Sequence, residues 1–97
     1  MIQFPDPKEF QWDRGNVKKN WIKHNITTKE SEEVFLDENL LFLQDEKHSK
    51  NEERFMIIGK TSKARMLSVI FTTRNNKIRI VSARTASRKE RKRYEKT

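Results

Sequence analysis

The sequence predicts an α+β domain: an antiparallel β-sheet meander with two N-terminal helices packed on one face and a short basic C-terminal helix. Four segments rich in β-branched, aromatic or other apolar residues follow one another after residue 40, with polar loops between them. Three other stretches carry helix-start signals. Sequential strands joined by short loops pair antiparallel, which favours a single meander over a parallel α/β sheet.

One domain spanning residues 1–97 is expected. A chain of 97 residues suits a single hydrophobic core. With only two glycines and two prolines, the sequence offers no flexible linker between domains. Charged residues make up 37% of the chain, yet the apolar residues are periodic, so we interpret it as folded.

The N-terminal part is expected to begin with a short β-like piece at 10–12. Asp13 can then cap a first helix over roughly 14–24. One face of this helix would carry Val17, Trp21 and His24. Both tryptophans, Trp12 and Trp21, are interpreted as core residues rather than platforms for stacked bases.

Two capping-box patterns predict the other helices. The pairs are Thr27 with Glu30 and Ser87 with Glu90. The first pair begins a helix over about 28–36 that buries Val34 and Phe35. The second begins a helix over about 88–95, which has only Tyr94 as a sizeable apolar group. So short a helix is marginal by itself, and we expect it to dock weakly through Tyr94 and to detach.

The strands are expected at 40–44, 53–60, 66–74 and 78–84. Asn75-Asn76 suits a two-residue hairpin turn, because asparagine tolerates positive φ. The turn predicts the pairs Thr73–Ile78, Phe71–Ile80 and Val69–Ser82. The core face would carry Val69, Phe71, Ile78 and Ile80, and Arg79 would project from the other face. Arg84 has the opposite parity, unless a bulge or the turn into the helix re-aims it.

Charge divides the chain into an acidic and a basic half. Residues 1–53 carry 8 Lys/Arg and 12 Asp/Glu, a net charge of −4, whereas residues 54–97 carry 14 Lys/Arg and 2 Asp/Glu, a net charge of +12. Clustered cations release counterions when they bind phosphates. The asymmetry therefore favours a polyanionic partner over a merely solvated basic surface.

Several classes of protein are disfavoured by what the sequence lacks. Without cysteine there are no disulfides and no thiolate metal sites. No apolar stretch approaches the ~20 residues that span a bilayer, and the first residues do not resemble a secretory signal, so the expected location is the cytoplasm. Asp45, Glu46 and His48 lack the spacing of metal ligands, and no metal or other cofactor is expected.

Five motifs, in this order and covering nearly the whole chain, resemble the BrnT family of bacterial ribonuclease toxins. They are FQWD at 10–13, KxNWIKHNI at 18–26, EVF at 33–35, ERFxxIG at 53–59 and IRIVSARxASRKERxRY at 78–94. The last is the most specific. Asn25 stands where glycine commonly follows the KH pair, and asparagine can adopt the same left-handed backbone.

The resemblance implies a RelE-like fold and an endoribonuclease of a type II toxin–antitoxin system that cleaves RNA generally, without need of the ribosome, and inhibits translation. It implies neutralisation by a BrnA-type antitoxin, as a heterotetramer around an antitoxin dimer. It also implies that the complex binds its own operator DNA, chiefly through the antitoxin.

Three arginines are the candidate phosphate ligands: Arg79 first, then Arg54 and Arg84. A guanidinium fork matches a phosphate bidentately and can stabilise its developing charge without a metal. Arg79 combines the family motif with an exposed sheet face. The competing interpretation of Glu53 and Arg54 is an ordinary ion pair on a solvated face.

The general base is left open among Glu53, Lys23 and His24. The imidazole of His24 has a suitable ordinary pKa, although a histidine on an apolar helix face is more often structural. Arg88, Arg91 and Tyr94 of the terminal helix are candidate substrate-binding residues. Tyr94 could instead simply pin that helix to the domain.

Two other function classes remain open at this point. One is a non-catalytic module that binds RNA or DNA on the same basic sheet, although few aromatic residues fall on the predicted outer face. The other is an interaction protein whose basic half binds an acidic polypeptide.

Overall fold

The computed structural model describes residues 9–15, 25–44 and 52–96. Its elements are α1 (Thr28–Val34), β1 (Leu41–Gln44), β2 (Phe55–Lys60), β3 (Met66–Arg74), β4 (Lys77–Thr85) and α2 (Arg88–Glu95). The strands form one sheet in the order β1-β2-β3-β4, and every neighbouring pair is antiparallel. The predicted α+β meander is confirmed.

The helices differ in part from the prediction. The described part of the chain contains one helix on the N-terminal side and one at the C-terminal end, instead of a pair of N-terminal helices. Arg14 and Gly15 are helical, but residues 16–24, which include Val17 and Trp21, lie outside the described residues. The β-like piece is a single bridge between Phe10 and Ile78 of β4.

Both capping boxes are present. Thr27 accepts a hydrogen bond from the Glu30 N–H, and the Glu30 carboxylate accepts one from the Thr27 N–H. Ser87 and Glu90 repeat this exchange at the start of α2. Each pair satisfies backbone donors that a helix N-terminus would otherwise leave without partners, which explains why both helices begin where the sequence predicts.

One side of the sheet, here called the core face, packs against α1. Among the described residues, seven hydrophobic residues on this face are fully buried, and they form one cluster with Ile26, Val34 and Phe35. They are Ile57, Leu67, Val69, Phe71, Ile78, Ile80 and Ala83. The prediction for Val69, Phe71, Ile78 and Ile80 is therefore confirmed.

The hairpin between β3 and β4 turns at Asn75 and Asn76, with φ of 51° and 62°. A two-residue turn with positive φ at both positions has a backbone twist that matches the right-handed twist of the flanking strands. The predicted pairs of Thr73 with Ile78 and of Phe71 with Ile80 are confirmed.

The predicted pair of Val69 with Ser82 is wrong. The register shifts at Ile70/Phe71, so that Ile70 pairs with Ser82 and Val69 with Ala83. Val81 is the extra residue of this bulge. Because the bulge reverses parity, Arg84 pairs with Ser68 and lies on the same side of the sheet as Arg79.

The side opposite the core face is here called the cationic face, because alternation along the strands assigns to it Arg54, Arg74, Arg79 and Arg84. Helix α2 packs on one end of it, where Tyr94 and Ala86 form a small cluster with Ile58 and Met66. In the part of the chain that the structure describes, no helix is both long and apolar enough to cross a membrane.

Candidate active site

A cleft of about 270 Å³ opens on the cationic face, at the end of the sheet nearest the β3–β4 hairpin. Three arginines and one glutamate line it, together with glycine and aliphatic groups. The lining residues are Gly15, Glu52, Arg54, Arg74, Arg79, Ile80 and Val81. Three guanidinium groups in one small cleft suit a ligand with negatively charged oxygens.

The sheet and one side-chain hydrogen bond bring these groups together. Arg74 ends β3, and Arg79 follows the hairpin on β4 with the same parity. The segment before β2 crosses beside them because the buried Thr72 hydroxyl donates to the carbonyl oxygen of Glu53, at 2.7 Å. This bond fixes the backbone between Glu52 and Arg54.

Carboxylates of the same chain contact each guanidinium of the cleft. The Asp13 Oδ2 atom lies 2.7 Å from Nη1 of Arg79. Glu52 accepts two hydrogen bonds of 3.1 Å from Nε and Nη2 of Arg74, and its Oε1 lies 4.0 Å from Nη2 of Arg54. A carboxylate is a planar oxyanion, so its position shows how a phosphate could be held at this edge of the sheet.

Arg84 does not share the cleft. It lies four residue pairs along the sheet from Arg79, roughly 13 Å away at the usual rise per residue. There the Glu90 carboxylate of α2 accepts two hydrogen bonds of 2.7 Å from its guanidinium. The predicted set of three is therefore corrected: Arg54 and Arg79 come together, whereas Arg84 is on the same face but joined to the terminal helix.

The pair formed by Arg84 and Glu90 is electrostatically strong. The two hydrogen bonds from Arg84 lower the pKa of Glu90 to about 2, against the opposing effect of burial. The same bonds raise the pKa of Arg84 above its ordinary value. Both groups are ionised at neutral pH, so the pair links β4 to α2 under these conditions.

Of the three candidates for the general base, only Glu53 lies among the described residues. The Glu53 side chain is exposed and does not line the cleft, whereas Glu52 beside it does. Lys23 and His24 lie outside the described residues. The residue after them, Asn25, has φ of 55°, as expected of an asparagine in place of glycine.

Two site residues were missed by sequence reasoning, Arg74 and Glu52. Arg74 could have been found, because the predicted hairpin places it on the same face as Arg79 and next to it diagonally. Glu52 carried no such signal, since its place depends on the hydrogen bond from Thr72 to the loop before β2.

Tyr94 has a structural position. Its ring is 8% exposed, and its hydroxyl donates to Asp37 Oδ2 at 2.6 Å. Burial, and then this hydrogen bond, raise its pKa to about 12. The interpretation that Tyr94 pins the terminal helix is therefore favoured over a stacking role.

The exposed side of α2 is basic. Arg88 and Arg91 line a broad hollow of about 550 Å³ with Ala86, Lys92 and Glu95. No group of three or more histidine, aspartate or glutamate side chains that could hold a metal ion occurs among the described residues, which exclude Asp45, Glu46 and His48.

Residues 12–90 match a family model described as the ribonuclease toxin BrnT of type II toxin–antitoxin systems. The match covers most of the 97 residues. The chain belongs to the BrnT family. The resemblance drawn from its motifs is thereby confirmed, and so, at the level of the BrnT family, are a ribonuclease activity, an RNA target and an antitoxin partner.

The region matched to BrnT contains all of the residues that line the cleft. Comparison with curated proteins gives no match. The roles of individual residues in this BrnT chain therefore rest on the geometry of the cleft.

Proposed function

We propose that the chain is a metal-independent endoribonuclease toxin in which Arg79 and Arg54 bind the phosphate that is cleaved. The observation that supports this is the shared cleft: two arginines of separate motifs converge on a space of about 270 Å³ at the free end of the cationic face. Together they can stabilise the negative charge that concentrates on the non-bridging oxygens in the transition state.

In the proposed reaction the 2′-hydroxyl oxygen attacks the adjacent phosphorus in line and the bond to the 5′-oxygen breaks. The products are a 2′,3′-cyclic phosphate and a free 5′-hydroxyl. A base takes the proton of the 2′-hydroxyl, and an acid supplies one to the 5′-oxygen. Glu53, Lys23 and His24 remain the proposed proton-transfer residues.

The direct test is cleavage of RNA by the purified protein in EDTA, with wild type beside Arg79→Ala and Arg54→Ala. We expect the wild type to cleave and each variant to lose about 100-fold or more of its kcat, as is usual when one donor to a transition-state oxyanion is removed. Circular dichroism shows whether each variant is folded.

Lys63→Ala is a suitable control, because it removes one exposed cation that does not line the cleft. It should cleave as the wild type does. Full activity in folded Arg79→Ala and Arg54→Ala would remove both residues from the mechanism. Loss of wild-type activity in EDTA, restored by a divalent cation, would refute metal independence.

The remaining parts of the proposal follow the BrnT family. The fold is RelE-like, and the toxin acts in the cytoplasm by inhibiting translation. A BrnA-type antitoxin neutralises it in a heterotetramer that binds operator DNA. Expression should arrest growth, and co-expression of the antitoxin should restore it; normal growth with abundant folded wild type would contradict toxicity.

The alternative is a non-catalytic module that binds nucleic acid through the cationic face. Its supporting observation is the exposed basic hollow on α2, which extends positive charge beyond the cleft. Binding of RNA without any cleavage would favour this alternative.

A further inference from the structure

Arg74 occupies a place in the cleft that no family motif quoted above includes. It is the last residue of β3, directly opposite Lys77 and diagonal to Arg79 on the same face. Its guanidinium lines the cleft with those of Arg54 and Arg79. Because its side chain is 49% exposed, it can reach a ligand without rearrangement of the sheet.

The carboxylate of Glu52 lies between two of these cations. It accepts hydrogen bonds from Nε and Nη2 of Arg74, and it faces Nη2 of Arg54 at 4.0 Å. This arrangement engages one edge of the Arg74 guanidinium and leaves its Nη1 group as a donor on the other edge. Glu52 thus orients Arg74 in the way that one carboxylate commonly fixes an arginine whose remaining donors bind a ligand.

Three adjacent guanidiniums repel one another, and the repulsion must be offset in the free protein. Among the described residues, Glu52 and Asp13 do so in part: the three guanidiniums and these two carboxylates have a net charge of +1. A phosphodiester carries one negative charge. The net positive charge of these groups favours the binding of a phosphate group of a nucleic acid strand.

We infer that Arg74 is a third phosphate-binding residue of the cleft, and that Glu52 is the positioning residue that orients Arg74 toward the substrate. This inference rests on the proposed function, because it assigns both residues to the same ribonuclease site. It gives the site a third guanidinium in place of Arg84, which Glu90 holds elsewhere.

The first experiment measures binding alone, with a fully 2′-O-methylated single-stranded RNA that lacks the attacking hydroxyl. Its affinity is measured as a function of KCl concentration for wild type, Arg74→Ala and Lys77→Ala. A lost phosphate contact reduces the slope of log Kd against log[KCl] by about 0.7 for a single strand. Lys77 is the matched control, being exposed, of equal charge and directly opposite Arg74, but outside the cleft lining.

We expect Arg74→Ala to show this reduced slope and Lys77→Ala to keep the wild-type slope. Equal slopes for all three proteins would overturn the assignment of Arg74. Arg74→Lys keeps the positive charge but loses the bidentate guanidinium. It should therefore keep the wild-type slope of log Kd against log[KCl], while its rate of RNA cleavage falls about tenfold.

The second experiment separates positioning from simple charge, using the steady-state kinetics of Glu52→Gln. Removal of a negative charge beside a phosphate site by itself tightens RNA binding. If Glu52 positions Arg74, kcat falls about 10- to 100-fold while KM stays the same or decreases, because misplacement of reacting groups costs rate. An unchanged kcat would overturn the positioning role.

The outcomes also distinguish this inference from the proposed function. If the wild type binds but never cleaves RNA, the proposed ribonuclease chemistry fails, and with it the role of Glu52 in that chemistry. The salt dependence of binding still decides whether Arg74 contacts a phosphate. If the wild type cleaves and neither Arg74 nor Glu52 matters, only the inference fails.

Discussion

Glu90 is the residue that joins strand β4 to helix α2. Its carboxylate accepts from the Arg84 guanidinium and from the Ser87 N–H. The lowered pKa of Glu90, about 2, means that the folded state stabilises its ionised carboxylate more than the unfolded chain does. Glu90 therefore stabilises the fold fully above its ordinary pKa of 4.5, and this stabilisation is lost as the pH falls toward 2.

We predict that Glu90→Gln lowers the free energy of unfolding by about 1–2 kcal/mol at pH 7, a discounted value because the Arg84 side chain is 43% exposed. Urea unfolding at pH 7 and near pH 2.5 measures the effect. The difference from wild type should shrink at the lower pH. The unfolded chain then binds a proton at Glu90 that the folded state, with a pKa of about 2, mostly does not bind, so part of the stabilisation is lost. If the difference in the free energy of unfolding between wild type and Glu90→Gln is the same at both pH values, the ionised carboxylate of Glu90 does not stabilise the fold.

Tyr94 offers a direct optical measurement, because it is the only tyrosine in the sequence. The ionisation of tyrosine changes the absorbance near 295 nm, and we predict a midpoint near pH 12 in the folded protein. Since its pKa is raised from 10.0, the stability that neutral Tyr94 contributes is present below pH 10 and is lost as the pH rises through 12. A midpoint near 10 before any unfolding would show that the Asp37 contact is not maintained.

At the scale of elements, the contact of α1 with β2 depends on Gly59. A Cβ atom built there would lie 2.8 Å from Val34 Cγ1 and 3.2 Å from the Val34 carbonyl oxygen. Both distances are tighter than ordinary packing allows, and the backbone oxygen cannot rotate away. The absence of a side chain at Gly59 is thus what lets the helix approach the sheet.

Gly59→Ala should therefore destabilise the protein by about 1–3 kcal/mol, the usual range for overpacking. Denaturant unfolding of Gly59→Ala, Val34→Ala and the double variant measures the coupling between the two sites. Because Val34→Ala removes the nearest atom, the double variant should be more stable than the sum of the single effects predicts. Strict additivity would mean that the two residues do not meet.

The groups that attach helix α2 include the buried ring of Tyr94, the hydrogen bond from its hydroxyl to Asp37, Ala86 just before the helix and the pair of Arg84 with Glu90. We predict that amides of 88–95 exchange with solvent faster than those in the middle of β3 and β4, because opening the helix exposes little apolar surface. Hydrogen exchange followed by mass spectrometry tests this. Protection equal to that of the central strands would show that the helix does not detach separately.

The elements that the sequence predicted well are those with local signals. The capping boxes located the starts of both described helices, and the Asn-Asn turn fixed the hairpin register near residues 73–80. The bulge at Val81 was foreseen only as a possibility, because an extra residue in a strand leaves no periodic trace in so short a segment. The predicted pairing beyond the bulge, that of Val69 with Ser82, was therefore wrong.

For the whole molecule, the charge asymmetry has a structural counterpart. The cationic face and the exposed side of α2 belong to the basic half of the sequence, and several of the carboxylates that offset them come from the acidic half. Asp13 and Glu52 are examples. The cleft is therefore built where the two halves of the chain meet, which composition alone could not show.

We predict that the double variant Arg88→Gln/Arg91→Gln binds RNA more weakly and with a smaller salt dependence, by about 0.7 in slope for each arginine that contacts a phosphate. Both side chains are exposed and outside the cleft, so kcat should be unchanged. Kinetics and binding across a range of KCl concentrations measure both effects. A large loss of kcat with an unchanged salt slope would instead place these residues in the reaction.

The composition of the cleft shows where sequence reasoning stops. Arg79 was predicted from its parity after the hairpin, and Arg54 from a motif. The carboxylates that pair with Arg79 and Arg74, those of Asp13 and Glu52, lie 66 and 22 residues away from them in the sequence. Such pairings are set by the tertiary fold, and neither periodicity nor local motif reports them.

The extra residue at Val81 has a consequence for how β4 tolerates change in length. Loss of one residue there would restore strict alternation, exchanging the sides on which Ala83 and Arg84 lie. A guanidinium would then enter the space beside Val69 that now admits only a methyl group, while Glu90 would lose its partner. Insertions and deletions should therefore be far rarer within this strand than in the loops of the same molecule.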